Sequence, residues 1–287
     1  MVAGCDIKKI TCLFVIIALM ICAKCAFGVG EPRRLRIISL APATTEILFA
    51  LGLGDEIVGV SSFCDYPPRA REKEKVGTFS HPNVEKILSL KPDIIFGTGL
   101  EQASVVTMLR GLGLKVCVSD PASTGELFYS IKEIASLTGK DKEADSLIAE
   151  MRREIKAIEV RRKADRAKGK PKVFVEIWND PLLTAAKESF INELIKIAGA
   201  RNIAGDVRRA YVHFSAEEVI YRDPDCIILT YMSKRMPLGA LKSRPGWQNM
   251  TAVRENRIYN DIDSDTLLRP APRLVEGLRE LEKRFYP

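Results

Sequence analysis

Val84-Glu85-Lys86-Ile87-Leu88-Ser89-Leu90-Lys91-Pro92-Asp93-Ile94-Ile95 returns 132 residues later as Ala216-Glu217-Glu218-Val219-Ile220-Tyr221-Arg222-Asp223-Pro224-Asp225-Cys226-Ile227. In each copy a Glu precedes an aliphatic pair, then Pro-Asp, then an apolar run. A second pair keeps the same order: Glu46-Ile47-Leu48-Phe49-Ala50-Leu51-Gly52 matches Glu193-Leu194-Ile195-Lys196-Ile197-Ala198-Gly199. Two copies are too few for a solenoid, which needs at least three stacked units. Two similar halves therefore imply two similar lobes, and a cleft between lobes is a usual place to bind a ligand.

Around the repeats the chain alternates helix and short apolar strand. Arg36 to Leu40 and Glu56 to Ser62 read as strands, with a helix opening at Pro42 to Thr45 and stopping at Gly52-Leu53-Gly54. Cys64-Asp65-Tyr66-Pro67-Pro68 must be loop, because paired prolines end helix and sheet alike. Helix 83–91, strand 93–98, helix 103–112 and strand 115–119 follow. From Thr124 the pattern turns helical, with a break near Gly139-Lys140. Ala144, Leu147, Ile148, Met151, Ile155 and Ile158 then form one apolar stripe. Residues 141–166 as helix would span roughly 39 Å. After Lys170-Pro171 come strand 172–178, helices 189–198 and 215–222, strands 226–231 and 257–262, and a closing helix 273–285. The expected fold is α/β: two lobes with central, mostly parallel sheets joined by one long helix. The lobes are expected at 29–140 and 171–287, with the linking helix at 141–170. A long helix is a stiff spacer, so large hinge closure is not expected.

The first 28 residues differ from the rest. Lys8 and Lys9 precede the apolar run Ile10 to Ala23, and Ala26 and Gly28 offer a small-residue cleavage site. This is the layout of a secretory signal peptide, and the run is short for a membrane span. Export places the mature chain in the periplasm or on the outer face of the cytoplasmic membrane, free or tethered. The net charge is +7, and removing residues 1–28 leaves +5, weak grounds for any partner. No basic stretch is interleaved with aromatics, so nucleic-acid binding is not supported. Cys64, Cys117 and Cys226 remain, with no CxxC spacing, and for the latter two, in strand-like runs, the default is a buried free thiol. There is no GxxxxGK[ST], GxSxG or HExxH, so no enzyme is expected.

Asn83 and Ser215 can each cap a helix, the second as a capping box with Glu218. Glu85 and Glu217 then sit in first turns and point away from the apolar face. A first-turn Glu complements the helix dipole and needs no other role. The pairing suggests more: two exposed carboxylates, one per lobe, could register the protein on a two-fold partner carrying matching arginines.

Arg36 through Glu46, Asp65-Tyr66-Pro67-Pro68 and Glu85 through Asp93 carry a resemblance, extended by Lys187-Glu188-Ser189, Ser264-Asp265, Arg269, Pro272 and Arg273. The chain resembles the helical-backbone substrate-binding proteins of ABC importers, and within them those that carry corrinoids. The resemblance implies a shallow interlobe cleft and delivery of a small molecule, without a cofactor, to a permease dimer; the protein is expected to act as a monomer. It places Glu85 and Glu217 at the permease-docking positions. Tyr66 falls on a position facing the corrin, and Asp265 and Arg269 on positions touching the ligand's polar edge. Where the family has tryptophans this chain has Phe79 and Tyr211, which can still stack on a planar ring. The lead ligand is cobalamin or another corrinoid, with haem and a ferric siderophore as alternatives. Arg208, Arg209 and Arg235 lining the cleft would favour the siderophore. A membrane-anchored sensor or interaction protein with an empty cleft is the competing class.

Three further candidates stay open at this point. Trp178, before Asn179-Asp180-Pro181, lines the cleft or packs in the core. Asp265 and Arg269, four apart, can pair with each other. His81 and His213 could together ligate a metal, yet a closed site wants three or four ligands, and a loop or cap role suits them better.

Overall fold

The computed structural model describes residues 33–99, 101–164, 169–231 and 238–286. The chain forms two units, Met1–Leu35 and Arg36–Pro287, and every element named below belongs to the second. The expected signal segment lies outside the described residues. Among the described residues no helix is long and apolar enough to cross a membrane.

The first lobe opens with β1 (Ile37–Ser39), buried along its length, and α1 (Pro42–Ala50), where Pro42 takes a first-turn position that needs no N–H. Then come β2 (Ile57–Val60), a 3₁₀ turn Pro68–Glu72, α2 (Val84–Ser89), β3 (Ile94–Gly97), α3 (Ala103–Gly111) and β4 (Val116–Val118). The strands form an all-parallel sheet in the order β2-β1-β3-β4. Two helices lead out of it. α4 (Thr124–Thr138) is capped by Ser123 and stopped by Gly139 in the left-handed conformation. α5 (Asp141–Ala164) has 24 residues, roughly 36 Å.

The second lobe contains β5 (Lys172–Asn179), β6 (Leu182–Ala185), α6 (Phe190–Ile197), β7 (Arg201–Asn202), β8 (Tyr211–His213), α7 (Ala216–Arg222), β9 (Cys226–Leu229), α8 (Leu238–Lys242), α9 (Thr251–Arg254), β10 (Ile258–Tyr259), α10 (Asp265–Leu268) and α11 (Leu274–Phe285). Its sheet runs β10-β9-β5-β6-β8, with β7 beside the start of β5. β10, β9, β5 and β7 are parallel, whereas β6 is antiparallel to β5 and β8 to β6. The mixed hairpin was not legible in the sequence. Asn179-Asp180-Pro181 reads as the end of a strand, and in the structure Asp180-Pro181 is the turn into the next one.

The repeated stretch has a physical purpose in each lobe. Asp93 Oδ2 accepts the Arg36 N–H at 2.8 Å, and Asp225 Oδ2 accepts the Lys172 N–H at 2.6 Å. Each aspartate returns its own N–H, at 2.8 Å, to the carbonyl of the same residue. The side chains answer as well. Arg36 Nη2 donates to the Leu90 carbonyl at 2.7 Å, and Lys172 Nζ to the Arg222 carbonyl at 2.9 Å, closing the end of the preceding helix. The turn between helix and Pro-Asp takes a left-handed residue in each copy, Lys91 (φ 46°) and Asp223 (φ 43°). Pro-Asp is therefore a clasp that fixes helix, strand and neighbouring strand together.

Cys64, Cys117 and Cys226 are free thiols. Burial pushes Cys226 up to about 12, so it stays protonated and packs as a small apolar residue. Asp93→Ala or Asp225→Ala leaves a strand-start N–H without its acceptor. Each variant should lose about 1–3 kcal/mol in urea unfolding, and the corresponding Asn variants less.

Candidate ligand-binding and docking site

At the junction of the lobes a carboxylate from one meets two guanidinium groups from the other. Glu46, in α1, is buried. Arg273 grips it bidentately, Nε to Oε2 and Nη2 to Oε1, each at 2.8 Å. Arg269 Nη1 approaches Glu46 Oε1 at 3.4 Å and donates to Asp65 Oδ1 at 2.8 Å. Within the second lobe Arg273 also holds Asp263 at 3.0 Å, and Arg269 holds Asp265 at 2.9 Å. The Arg273 guanidinium lies over the Tyr66 ring, 3.8 Å from its centroid. Partial burial pushes the Asp65 carboxyl up, but the hydrogen bond and charge of Arg269 hold it below the usual range. Asp265 is raised, chiefly by burial. The hydrogen bonds that Arg273 donates to Glu46 push its pKa above the ordinary arginine value. A second tie joins the halves: Glu193 of α6 accepts the Thr124 N–H at 2.6 Å and its hydroxyl at 2.9 Å, at the start of α4.

The second sheet presents two groups at its edges. Trp178 pairs with Leu183, Leu183 with His213, and Ala185 with Tyr211. Cross-strand partners share a face, so Trp178, His213 and Tyr211 lie on one side of the hairpin. Trp178 is 51% exposed and Tyr211 49%, so neither is a core residue. Burial of its phenol end raises the Tyr211 pKa. At the carboxyl end of β5, Glu176 is buried and held bidentately by Arg244 at 2.7 Å, and accepts the Tyr231 hydroxyl. Sequence reasoning missed this trio. A Glu in an otherwise apolar strand was its one available signal.

Phe79 rides a short loop closed by a bridge between Gly77 and Pro82. Gly77 has φ +105°, and a Cβ there would meet the His81 carbonyl at 2.6 Å and the Asn83 nitrogen at 2.7 Å, so only glycine fits. Buried Gln102 fastens the loop from below. Its Nε2 donates to the Phe79 carbonyl at 2.8 Å and to the Leu40 carbonyl at 2.9 Å, while its Oε1 accepts the Thr98 N–H at 3.0 Å. Gln102 was also missed, since one amide on a helix start carries no motif.

Glu85 and Glu217 are exposed in the first turns of α2 and α7. Asn83 caps α2 through the Lys86 N–H, and Ser215 caps α7 through the Glu218 N–H. The expected capping box is only half made, because Glu218 turns to Arg222 at 2.6 Å. Tyr221, one turn beyond Glu217, is 87% exposed.

The structure thus brings Tyr66, Asp265 and Arg269 to one interlobe cluster, and Trp178 and Tyr211 to one sheet face. Phe79 stands on its own loop. Asp265 and Arg269 pair with each other, as their spacing allowed. A recess of about 420 Å³ between the lobes is lined by Tyr66, Phe49, Met151 and Val275 but not by Phe79, Trp178 or Tyr211. His81 and His213 are exposed on different elements, and among the described residues no cluster of three or more metal donors exists. Arg208 and Arg209 enter β8 from its Tyr211 end, opposite the end that pairs toward Trp178. Arg235 lies outside the described residues.

Residues 37–265 match the periplasmic binding protein family. The chain belongs to that family. It is 36% identical over 262 residues to YvrC, an uncharacterized ABC transporter substrate-binding lipoprotein of Bacillus subtilis, covering 90% of this chain and 81% of that protein. It is 30% identical over 247 residues to the vitamin B12-binding protein of Salmonella paratyphi A, covering 86% and 88%. The periplasmic heme-binding protein RhuT of Roseiflexus superposes with a TM-score of 0.79 at 28% identity, covering 88% of this chain and 98% of that one. The vitamin B12-binding protein of Vibrio cholerae gives 0.75 at 27% identity, covering 87% and 96%. These relatives share the two-lobed class III architecture, and the chain is a periplasmic binding protein of an ABC transporter.

Glu46→Gln removes a buried charge that two half-buried guanidinium groups answer. Unfolding should require about 3–5 kcal/mol less, and an Arg273→Met change made on top of it should cost much less than alone. Gln102→Ala should leave the sheet intact but free the Phe79 loop, seen as faster amide exchange over residues 78–81.

Proposed function

We propose that the protein captures a corrinoid of the cobalamin type outside the cytoplasmic membrane and delivers it, as a monomer, to the permease dimer of an ABC importer. It does no chemistry on the ligand. The observation that carries the ligand class is the charge state of the interlobe cluster. Arg269 and Arg273 face four carboxylates, Glu46, Asp65, Asp263 and Asp265, and Arg244 is answered by Glu176. These guanidinium groups are already neutralised, so they are poor partners for an anionic ferric chelate or for haem propionates. A corrin rim of uncharged amides suits them better, accepting and donating hydrogen bonds without displacing an ion pair. Tyr66, Phe79, Trp178 and Tyr211 supply aromatic surface for the ring.

Glu85 and Glu217 are the docking carboxylates in this reading. Their exposure on equivalent first turns of the two lobes fits a permease surface with paired cations.

Equilibrium titration of the purified protein with cobalamin, haem and a ferric chelate tests the ligand. Cobalamin should bind most tightly, and Trp178→Ala or Tyr211→Ala should each weaken it by roughly tenfold, the scale of one lost stacking contact. Binding of none of the three would favour the sensor alternative. Charge reversal at Glu85 together with Glu217 should abolish uptake while leaving cobalamin affinity unchanged; surviving uptake would remove those residues from docking.

A further inference from the structure

The second sheet has another concave surface at the opposite end from Trp178. Lys172 opens β5 and Trp178 nearly closes it, six residues or about 20 Å apart. Around Lys172 lies a recess of about 720 Å³, a volume that suits a small ligand. It is bounded by Lys170, Lys172, Lys196, Arg201 and Arg222, with Asp206 as its one carboxylate. Asp206 is already committed to Arg222, Oδ1 to Nη1 at 2.7 Å, and that hydrogen bond holds its carboxyl below the usual range. Arg222 takes a second carboxylate, Glu218, at 2.6 Å and donates to the Ile203 carbonyl, so it is spent inside the protein. Four cations remain. Lys172 donates one hydrogen bond to the Arg222 carbonyl at 2.9 Å, and its charge also helps to hold the Asp223 carboxyl below the usual range. Lys170, Lys196 and Arg201 have no carboxylate partner among the described residues.

Lysines at helix ends often do no more than complement the dipole, and Lys196 stands in the last turn of α6. That role accounts for one cation, not for four converging on one hollow. The floor is also built. Buried Asn192 and Asn202 line it, Asn202 Nδ2 reaching the Ala185 carbonyl at 2.8 Å and Asn192 Oδ1 at 3.4 Å. Asn202 Oδ1 accepts the Ala204 N–H at 3.0 Å, which fixes the 202–206 loop as a wall. The recess therefore has a hydrogen-bonded floor and an excess of positive charge.

We propose that this recess is a second binding site, for a small, multiply charged phosphate compound. Ammonium and guanidinium groups converging from separate elements match several phosphate oxygens at once, and a concave low-dielectric wall strengthens each contact. The ligand would be held without touching the interlobe cluster.

Calorimetric titration of the intact protein with pyrophosphate at low ionic strength tests the site, beside inorganic phosphate and long-chain polyphosphate. Pyrophosphate should bind with one-to-one stoichiometry, more tightly than phosphate, and weaken as salt is raised. Lys196→Gln combined with Arg201→Gln alters two exposed side chains and should keep the thermal midpoint while weakening pyrophosphate at least about tenfold. Cobalamin titration should be the same for both proteins. No heat with pyrophosphate, undiminished binding in the double variant, or binding of the long polymer alone would each overturn the proposal. The last outcome would mark a general basic surface.

Discussion

The two lobes are held to one another by carboxylates reaching across their boundary, and Glu46 is the most buried of them. In the low-dielectric junction its charge is tolerable only because Arg273 grips it at two points and Arg269 stands nearby. Glu193 repeats the arrangement from the other side, accepting two hydrogen bonds at the start of α4. Glu46 and Glu193 are the matching residues of the second repeated stretch. Each lobe thus sends the glutamate of its matching stretch into the other half. Such ties resist relative rotation, because moving the lobes apart would strand a buried charge. With α5 as a stiff spacer, they favour a binding face whose width is set before any ligand arrives.

The repeats divide their labour. Pro-Asp closes each lobe's own helix and strands, the Glu46–Glu193 pair joins the lobes, and Glu85 and Glu217 remain turned to solvent. In the proposed reading, ligand contact falls to residues outside the repeats: Tyr66, Phe79, Trp178 and Tyr211. The framework of two lobes can stay alike while exposed positions differ, since exposed positions accept substitution without disturbing the buried clasps.

Strict periodicity explains what the sequence made legible. Isoleucine-rich β1, β3 and β9 and the stripe along α5 were readable, as were the capped first turns bearing Glu85 and Glu217. The hairpin β5–β6–β8 was not, because Leu182–Ala185 and Tyr211–His213 are too short to show alternation and their pairing is non-local. The site was legible only in part. Asp265 and Arg269 could be placed four apart, but their tie to Asp65 and the stacking of Arg273 on Tyr66 depend on residues some 200 positions distant. Gln102, Glu176 and Arg244 escaped for the same reason: each is an ordinary residue whose meaning comes from the loops that surround it. The basic recess around Lys172 was equally hidden, since its cations come from four separate segments.

A crystal structure of the protein with cobalamin bound tests the central claim most directly. The account predicts the corrin seated against Trp178 and Tyr211, its amide rim beside Arg269 and Asp265, with the Glu46–Arg273 pair intact and the lobes unmoved. A ring bound elsewhere, or one admitted only by breaking that pair and rotating the lobes, would contradict it.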